Sequence, residues 1–202
     1  MGARYSGTRF GTANGNVLRG KDLDMYRKLA SPRGRSNAGR LTPGVRRLAC
    51  MAMELREFFS QEAVQLELQG TTKDEILKEL IGLLKLDEKS EGMLFKMLKR
   101  RENLGSTGIG RGIAIPHCRS LVVNRLRVAF GRKKDGVDFK AIDDKPVNFF
   151  FLIVAPPLEV SNQYLPVLGK IAQFSKESDV PGRLLEIASP AEFMALLEEK
   201  RV

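Results

Sequence analysis

The chain has 202 residues, of which 43% are hydrophobic and 29% are charged, a composition typical of a soluble globular protein with one ordinary domain. No segment reaches the roughly 18 apolar residues that a membrane-spanning helix needs, so we expect no membrane span. Cys50 and Cys118 provide no disulfide framework, and with one histidine they cannot complete a four-ligand zinc site without carboxylates. This cysteine usage, and the lack of an apolar secretory signal after Met1, favour the cytoplasm.

The net charge of +10 is concentrated at the start of the chain. Residues 1–50 contain eleven lysines and arginines against two acidic residues, Asp22 and Asp24. The other 152 residues carry 23 basic and 22 acidic residues, so the patterned part of the chain is nearly neutral. A nearly neutral domain releases few counterions from a nucleic acid, and we therefore do not expect nucleic acid to be the main partner.

Residues 1–52 are expected to form a disordered basic extension, because they combine frequent glycines and scattered arginines with no sustained apolar periodicity. Three interpretations remain open: a basic arm that contacts anionic surfaces, an arginine-rich targeting presequence, and a non-native extension. The third is favoured because Met51 and Met53 directly precede the first regular segment. The folded domain is expected over residues 53–202.

From Glu54 onward, apolar spacing predicts strands and helices in alternation. Alternating residues predict a strand over Val64–Leu68, and the capping box Thr72-Lys-Asp-Glu75 predicts a helix over 73–85. A second helix is expected over 88–101, where Lys99-Arg100-Arg101 suits a helix C-terminus. The later elements are three strands (Gly112–Pro116, Leu126–Arg132, Val147–Val154) and three helices (Tyr164–Phe174, Val180–Ile187, and one from the capping box Ser189-Pro-Ala-Glu192 to about Lys200). The chain is therefore predicted to be a single α/β domain.

Four glycines lie within eight residues after the second helix, and a short strand then leads to His117, the only histidine. They are Gly105, Gly108, Gly110 and Gly112. Glycine lets backbone N–H groups approach an anion closely and lets the chain turn sharply. The order helix, loop, strand is the reverse of the dinucleotide-binding fingerprint, and no Gly-Lys-Ser/Thr ending is present. Nucleotide binding is therefore not expected.

His117 follows Pro116, which fixes the backbone before the imidazole. A lone histidine is more often structural than catalytic, but the glycine-rich segment and a nearby arginine favour a functional interpretation. Neutral imidazole is a good nucleophile near pH 7, and Arg101 carries five N–H donors suited to a phosphoryl group. The hydroxyls of Ser106 and Thr107 either donate to phosphate or cap the turn, and we prefer the phosphate role.

The run Arg101-Glu-Asn-Leu-Gly-Ser-Thr-Gly-Ile-Gly-Arg-Gly-Ile-Ala-Ile-Pro-His117 resembles a known phosphorylation-site motif. The motif is that of the enzyme IIA proteins of the bacterial phosphoenolpyruvate-dependent sugar phosphotransferase system, in the fructose/mannitol class and its nitrogen-regulatory branch. The likeness covers about residues 53–200 and includes Asp138-Phe-Lys-Ala-Ile-Asp-Asp-Lys-Pro-Val147. It implies a central mixed β-sheet flanked by helices, with the histidine at its edge.

The resemblance also implies a phosphotransferase activity without metal or cofactor. A phosphorylated histidine phosphocarrier protein would donate to His117, and an enzyme IIB or a regulatory target protein would be the next partner. Arg101 matches the family's phosphate-binding arginine, and Glu159 falls near a position where the family has an acidic residue.

One position departs from the family pattern. Members commonly have a second active-site histidine at the start of the helix after the central strand, where this chain has Tyr164. A phenol donates a hydrogen bond but supplies no imidazolium charge. Tyr164 and Glu159 are therefore expected to shape the pocket, and the alternative function is a non-catalytic regulator whose phosphorylation modulates binding to a target.

Overall fold

The computed structural model describes residues 54–158 and 162–201. The predicted extension, residues 1–52, and the predicted pocket residue Glu159 lie outside the described residues. Within the described part, a mixed β-sheet packs between helices on both of its faces, so the predicted α/β class with a central mixed sheet is confirmed. None of the described helices has the length and apolar character needed to cross a membrane.

Six strands and five α-helices make up the described part of the chain. The strands are β1 (Val64–Gln65), β2 (Gly108–Gly110), β3 (Ile113–Ala114), β4 (His117–Arg119), β5 (Arg127–Val137) and β6 (Val147–Ala155). The helices are α1 (Lys73–Gly82), α2 (Glu88–Asn103), α3 (Tyr164–Phe174), α4 (Val180–Glu186) and α5 (Pro190–Lys200). Two short 3₁₀ turns, Leu55–Phe58 and Gln61–Ala63, precede β1.

The strand β6 organises the sheet, whose order is β1-β5-β6-β3-β2. It pairs antiparallel with β5 on one side and parallel with both β3 and β4 on the other. The strands β3 and β4 follow each other along β6, because Ile113 lies opposite Phe149 and His117 lies opposite Ile153. His117 is therefore held in the part of the sheet where β6 approaches its C-terminal end.

The two faces of β6 supply two separate hydrophobic cores, as the continuous apolar run of this strand predicts. One core lies under α3, α4 and α5 and contains the stacked rings of Phe130 and Phe193, with centroids 4.2 Å apart. The other core lies under α1 and α2 and contains Phe150. Side chains alternate along a strand, so neighbouring residues of β4 are directed to different cores.

Local sequence signals set most helix boundaries. The Thr72 side chain accepts from the Glu75 N–H and the Glu75 carboxylate accepts from the Thr72 N–H, so the first capping box is confirmed. At α5, Ser189 caps the helix as predicted, but the carboxylate of Glu192 accepts from the N–H of Ala188 instead of that of Ser189. The bounds of α3 are those that the apolar spacing predicts.

Several predicted elements were wrong in their bounds or type. The strand predicted over Leu126–Arg132 continues to Val137, and the strand predicted over Gly112–Pro116 is limited to Ile113–Ala114. The strand predicted over Val64–Leu68 ends at Gln65, because the Leu66 carbonyl accepts from the Arg132 side chain and leaves the ladder. The first helix ends at Gly82, not at residue 85, and the chain turns through Lys85 with a positive φ of 52°. The segment Gly108–Gly110, which was expected to be loop, is the strand β2.

Candidate functional site

His117 lies at the start of β4 and its side chain is almost fully buried, with 4% of the residue exposed. Its Nδ1 is 2.6 Å from the carbonyl oxygen of Ile115. A carbonyl oxygen only accepts hydrogen bonds, so Nδ1 carries the proton and donates to it. The unprotonated nitrogen, with the lone pair that a nucleophile needs, is therefore Nε2.

The pKa of His117 is lowered from its ordinary value, chiefly because burial disfavours the charged imidazolium. The positive charge of Arg101 lowers this pKa further, while the hydrogen bond to Ile115 and the negative charge of Glu102 raise it. The lowering effects prevail, so the imidazole is neutral at pH 7. A neutral imidazole is the nucleophilic form.

Arg101 lies in the last turn of α2, and its positive charge lowers the pKa of His117. Its Nη1 donates to the carbonyl oxygen of Gly105 at 3.0 Å. This bond holds the guanidinium against the first residues of the glycine-rich segment. The structure therefore places the Arg101 guanidinium close enough to His117 for its charge to act on the imidazole.

Glu102, beside Arg101, is a residue of this site that the sequence predictions missed. It is buried, and its two carboxylate oxygens accept from the Thr107 N–H at 3.0 Å and from the Thr107 hydroxyl at 2.7 Å. The ammonium of Lys73 is 3.0 Å from the same carboxylate. An acidic residue in the last turn of a helix opposes the helix dipole, and that position was a signal for a specific partner.

The hydroxyls of Ser106 and Thr107 have partners other than the predicted phosphate. The Thr107 hydroxyl donates to Glu102, and the Ser106 hydroxyl donates to the carbonyl oxygen of Phe139 at 2.7 Å. Each hydroxyl has one proton, so in this conformation neither donates to a phosphoryl group. The Ser106 backbone N–H, in contrast, donates to no acceptor among the described residues.

The first half of the glycine-rich segment runs beside the histidine. The Ile115 N–H donates to the Thr107 carbonyl oxygen at 3.0 Å, which places Gly105–Gly108 along the strand that leads to His117. Gly108 is required here, since a Cβ on it would lie 2.7 Å from the Cβ of Ala141. The structure thus brings the predicted phosphate-binding residues Gly105 and Gly108 to the histidine's end of the strand.

The second half of the segment forms a hairpin turn away from the histidine. Gly110, Arg111 and Gly112 all have positive φ, with values of 87°, 57° and 75°. The Gly112 carbonyl oxygen accepts from Asn148, five residues before the partner of His117 on β6, which corresponds to roughly 16 Å along a strand. The structure therefore does not bring the predicted phosphate-binding residues Gly110 and Gly112 to His117.

The Arg111 side chain in this turn supports a helix. Its guanidinium donates to the carbonyl oxygens of Ser175, Lys176 and Glu177, directly after the C-terminus of α3. A cation is favourable at that end of a helix. The turn thus fixes one end of α3, and the other end of this helix presents Tyr164.

Tyr164, the first residue of α3, lies beside the histidine. The centroids of its ring and of the His117 imidazole are 6.2 Å apart, with the two rings tilted by 58°. The guanidinium of Arg119, from the end of β4, lies 4.7 Å from the centroid of the same ring. The predicted role of Glu159 concerns a residue outside the described ones.

Cys118 is buried and belongs to the core under α1 and α2. Burial raises the pKa of its thiol to about 12, so the thiol is protonated and unreactive at neutral pH. No group of three or more His, Cys, Asp or Glu side chains suited to a metal ion occurs among residues 54–158 and 162–201.

The mixed sheet thus carries a neutral histidine, with its proton fixed on Nδ1, next to a glycine-rich backbone and an arginine. The family model for the phosphoenolpyruvate-dependent sugar phosphotransferase system, EIIA 2, matches residues 57–200. This chain belongs to that family, and its role is that of a phosphoryl carrier or regulator. The resemblance seen in the glycine-rich motif is confirmed.

Two kinds of relative are similar to this chain. A fructose-specific EIIA component from Haloferax volcanii is 32% identical over 142 residues, which cover 68% of this chain and 90% of that protein. A nitrogen regulatory protein from Bradyrhizobium diazoefficiens is 30% identical, over 65% of this chain and 86% of that protein. A fructose-specific EIIABC component from Bacillus subtilis is 31% identical, but the match spans only 22% of its length.

The solved structures agree with this division. The nitrogen regulatory protein IIA-Ntr from Neisseria meningitidis has a TM-score of 0.65 and 32% identity, over 71% of this chain and 98% of that one. The mannitol IIA of Escherichia coli has a TM-score of 0.58 and 23% identity, over 69% of this chain and 98% of that one, and it supports the fold alone.

Proposed function

We propose that the Nε2 atom of His117 accepts a phosphoryl group from a phosphorylated histidine phosphocarrier protein and passes it to an enzyme IIB or holds it as a regulatory signal. The observation that carries this proposal is the bond from Nδ1 to the Ile115 carbonyl, which leaves the lone pair on Nε2. In the transfer, the P–N bond of the donor breaks as the bond to Nε2 forms, and its electron pair stays on the donor imidazole. The exchange needs no oxidant and no further reactant.

The residues around His117 supply the donors that a phosphoryl group needs. Arg101 provides a guanidinium, which binds phosphoryl oxygens through paired N–H groups. The backbone of Gly105–Gly108 provides the Ser106 N–H, which is directed to no acceptor among the described residues. The Tyr164 ring lies beside the imidazole, and both Tyr164 and Glu159 are proposed to shape the pocket.

Phosphorylation in a reconstituted system tests this proposal. The full chain is incubated with phosphoenolpyruvate, enzyme I and the histidine phosphocarrier protein, and the product is analysed by intact mass spectrometry. We expect one acid-labile phosphoryl adduct on the wild-type chain. Since His117 is the only histidine, a phosphohistidine assigns the site directly, and His117→Gln should carry no adduct.

A neighbouring variant controls for the buried position. Cys118→Ala changes the adjacent residue of β4, whose side chain belongs to the other core, and should be phosphorylated like the wild type. An unmodified wild-type chain, in the presence of an active donor, would overturn the proposal. An adduct that persists in His117→Gln would overturn the choice of residue.

A regulatory role is the second candidate, and Tyr164 at the position of the family's second histidine favours it. The relatives named as nitrogen regulatory proteins support the same candidate. The two roles are separated by adding purified enzyme IIB proteins of the fructose and mannitol types to the phosphorylated chain. Transfer to one of them supports a place in sugar uptake, and failure with all of them supports regulation.

The folded domain is proposed to begin near residue 53. The family match starts four residues later, at residue 57. A truncated chain that starts at Met53 should then fold and accept the phosphoryl group as the full chain does. Loss of either property would show that residues 1–52 contribute to the domain.

A further inference from the structure

Arg119 is the second arginine close to the proposed phosphoryl site, and the site described so far gives it no task. Its guanidinium carbon lies 4.7 Å from the centroid of the Tyr164 ring. Its Nη1 donates to the carbonyl oxygens of Pro156 and Pro157 at 3.2 and 3.1 Å. These two carbonyls directly follow β6, so the guanidinium is fixed by the backbone that borders the site.

His117 and Arg119 lie on the same face of β4. They are two residues apart on the strand, and the residue between them, Cys118, belongs to the core under α1 and α2. Tyr164 belongs to the other core and contacts both: its ring is 6.2 Å from the imidazole and 4.7 Å from the guanidinium. The Tyr164 ring therefore lies between His117, the proposed phosphoryl acceptor, and the fixed guanidinium of Arg119.

A cation at the face of a phenol ring has two consequences. It attracts the ring electrostatically, and this attraction grows as the site is desolvated. It also withdraws electron density from the ring, which makes the phenol O–H a better hydrogen-bond donor. Tyr164 is 8% exposed, so water weakens neither effect much.

We infer that Arg119 is a positioning residue for the phosphoryl site. It holds the Tyr164 ring beside His117 so that the phenol hydroxyl donates to the phosphoryl group, a task for which the family uses a second imidazole. The inference rests on the proposed function, because it assumes that the phosphoryl group is bound to His117. Arg119 acts through Tyr164 and does not itself bind the phosphoryl group.

The equilibrium of phosphoryl exchange with the donor protein tests this inference. The phosphorylated fractions of both proteins are measured by mass spectrometry after exchange at a fixed ratio has reached equilibrium. An equilibrium constant does not depend on how well the two proteins dock, so the measurement isolates the stability of the bound phosphoryl group. We expect Arg119→Gln to shift this constant about 5- to 10-fold toward the donor, and Tyr164→Phe to shift it similarly.

The double variant separates positioning from a direct charge effect. In the Tyr164→Phe background the ring remains but the hydroxyl that Arg119 positions is gone, so Arg119→Gln should then change the constant less than about 2-fold. An effect of Arg119→Gln that is equally large in both backgrounds would overturn the inference. Arg125→Gln, which removes an exposed positive charge six residues further along, should leave the constant unchanged, and an equal shift there would also overturn it.

Two further outcomes are distinguishable. If Arg119→Gln does not fold, Arg119→Lys replaces it in the experiment. Lysine keeps the charge but lacks the planar group that donates to two carbonyls while it lies over the ring. An exchange constant for Arg119→Lys equal to that of the wild type would overturn the inference. A wild-type chain that is never phosphorylated contradicts the proposed function. A phosphorylated wild type whose Arg119→Gln variant has the same constant contradicts only the role of Arg119.

Discussion

The two halves of the glycine-rich segment have different tasks although they share one sequence pattern. The first half, Gly105–Gly108, is tied to Glu102 and runs beside the strand that ends in His117. The second half, 110–112, is a hairpin turn with positive φ at every residue, and it supports the C-terminus of α3. Glycine spacing alone therefore does not identify phosphate contacts. The contacts depend on which half the sheet register brings to the histidine.

Glu102→Ala should have the largest effect, because Glu102 holds the first half in place. The variant leaves the buried Thr107 N–H and the partly buried Lys73 ammonium without their carboxylate. Removing one partner of a buried, hydrogen-bonded pair costs about 3–5 kcal/mol. We expect the free energy of unfolding in urea to fall by that amount, and the rate of phosphorylation to fall as well.

Glu102→Gln is the matched variant, because an amide keeps the shape and one acceptor oxygen. It should lose less stability than Glu102→Ala and retain more of the phosphorylation rate. Equal losses in the two variants would mean that the charge of Glu102, and not its hydrogen bonds to Thr107, holds the segment.

Gly108→Ala should have the next largest effect and should lower both stability and phosphorylation. The added Cβ would lie 2.7 Å from the Cβ and 2.8 Å from the Cα of Ala141, so backbone must shift. Overpacking of this kind costs about 1–3 kcal/mol. Urea unfolding gives the loss of stability, and the reconstituted assay gives the rate. A normal rate in a destabilised variant would remove the first half of the segment from the site.

The sequence predicts the helices and strands around this site better than the side-chain hydrogen bonds within it. Capping residues and apolar spacing are local signals, so the bounds of α3 and the first capping box were predicted. Arg101 was assigned to the site of His117 from its place beside the glycine-rich segment, whereas Tyr164 was assigned to it only from the family resemblance. The bonds of Ser106 to Phe139 and of Arg111 to the end of α3 join residues 33 or more positions apart. Such contacts depend on which distant segments pack together in the fold, and a local sequence pattern does not determine that.

Gly112→Ala should destabilise the chain without lowering phosphorylation, which would sharpen the contrast between the two halves. Its φ of 75° is unfavourable for alanine by about 1–2 kcal/mol. Gly92→Ala is the control, since that glycine lies within α2 with nothing near its Cβ and should gain about 0.5–1 kcal/mol. If Gly112→Ala impaired phosphorylation as strongly as Gly108→Ala does, the two halves would not have separate tasks.

The smallest expected effect is a pH dependence that arises from His117, beside the first half of the segment. The pKa of His117 in the folded chain is below its ordinary value near 6.5, so between the two values the unfolded chain binds a proton that the folded chain does not. The free energy of unfolding is therefore highest above about pH 6.5 and falls as the pH is lowered toward the folded pKa. In His117→Gln this decrease should be absent, while carboxylates common to both chains titrate equally.

Urea unfolding at pH 7.5 and at pH 5.5 measures that difference, and identical changes in the two chains would contradict the lowered pKa. Variants in the two halves of the segment are also expected to differ in the pH dependence of phosphorylation. Glu102 raises the pKa of His117, so Glu102→Gln should move the acidic limb of phosphorylation to lower pH, where the imidazole still remains neutral. Gly112→Ala changes no charge and lies roughly 16 Å along the strand from His117, so its acidic limb should coincide with that of the wild type.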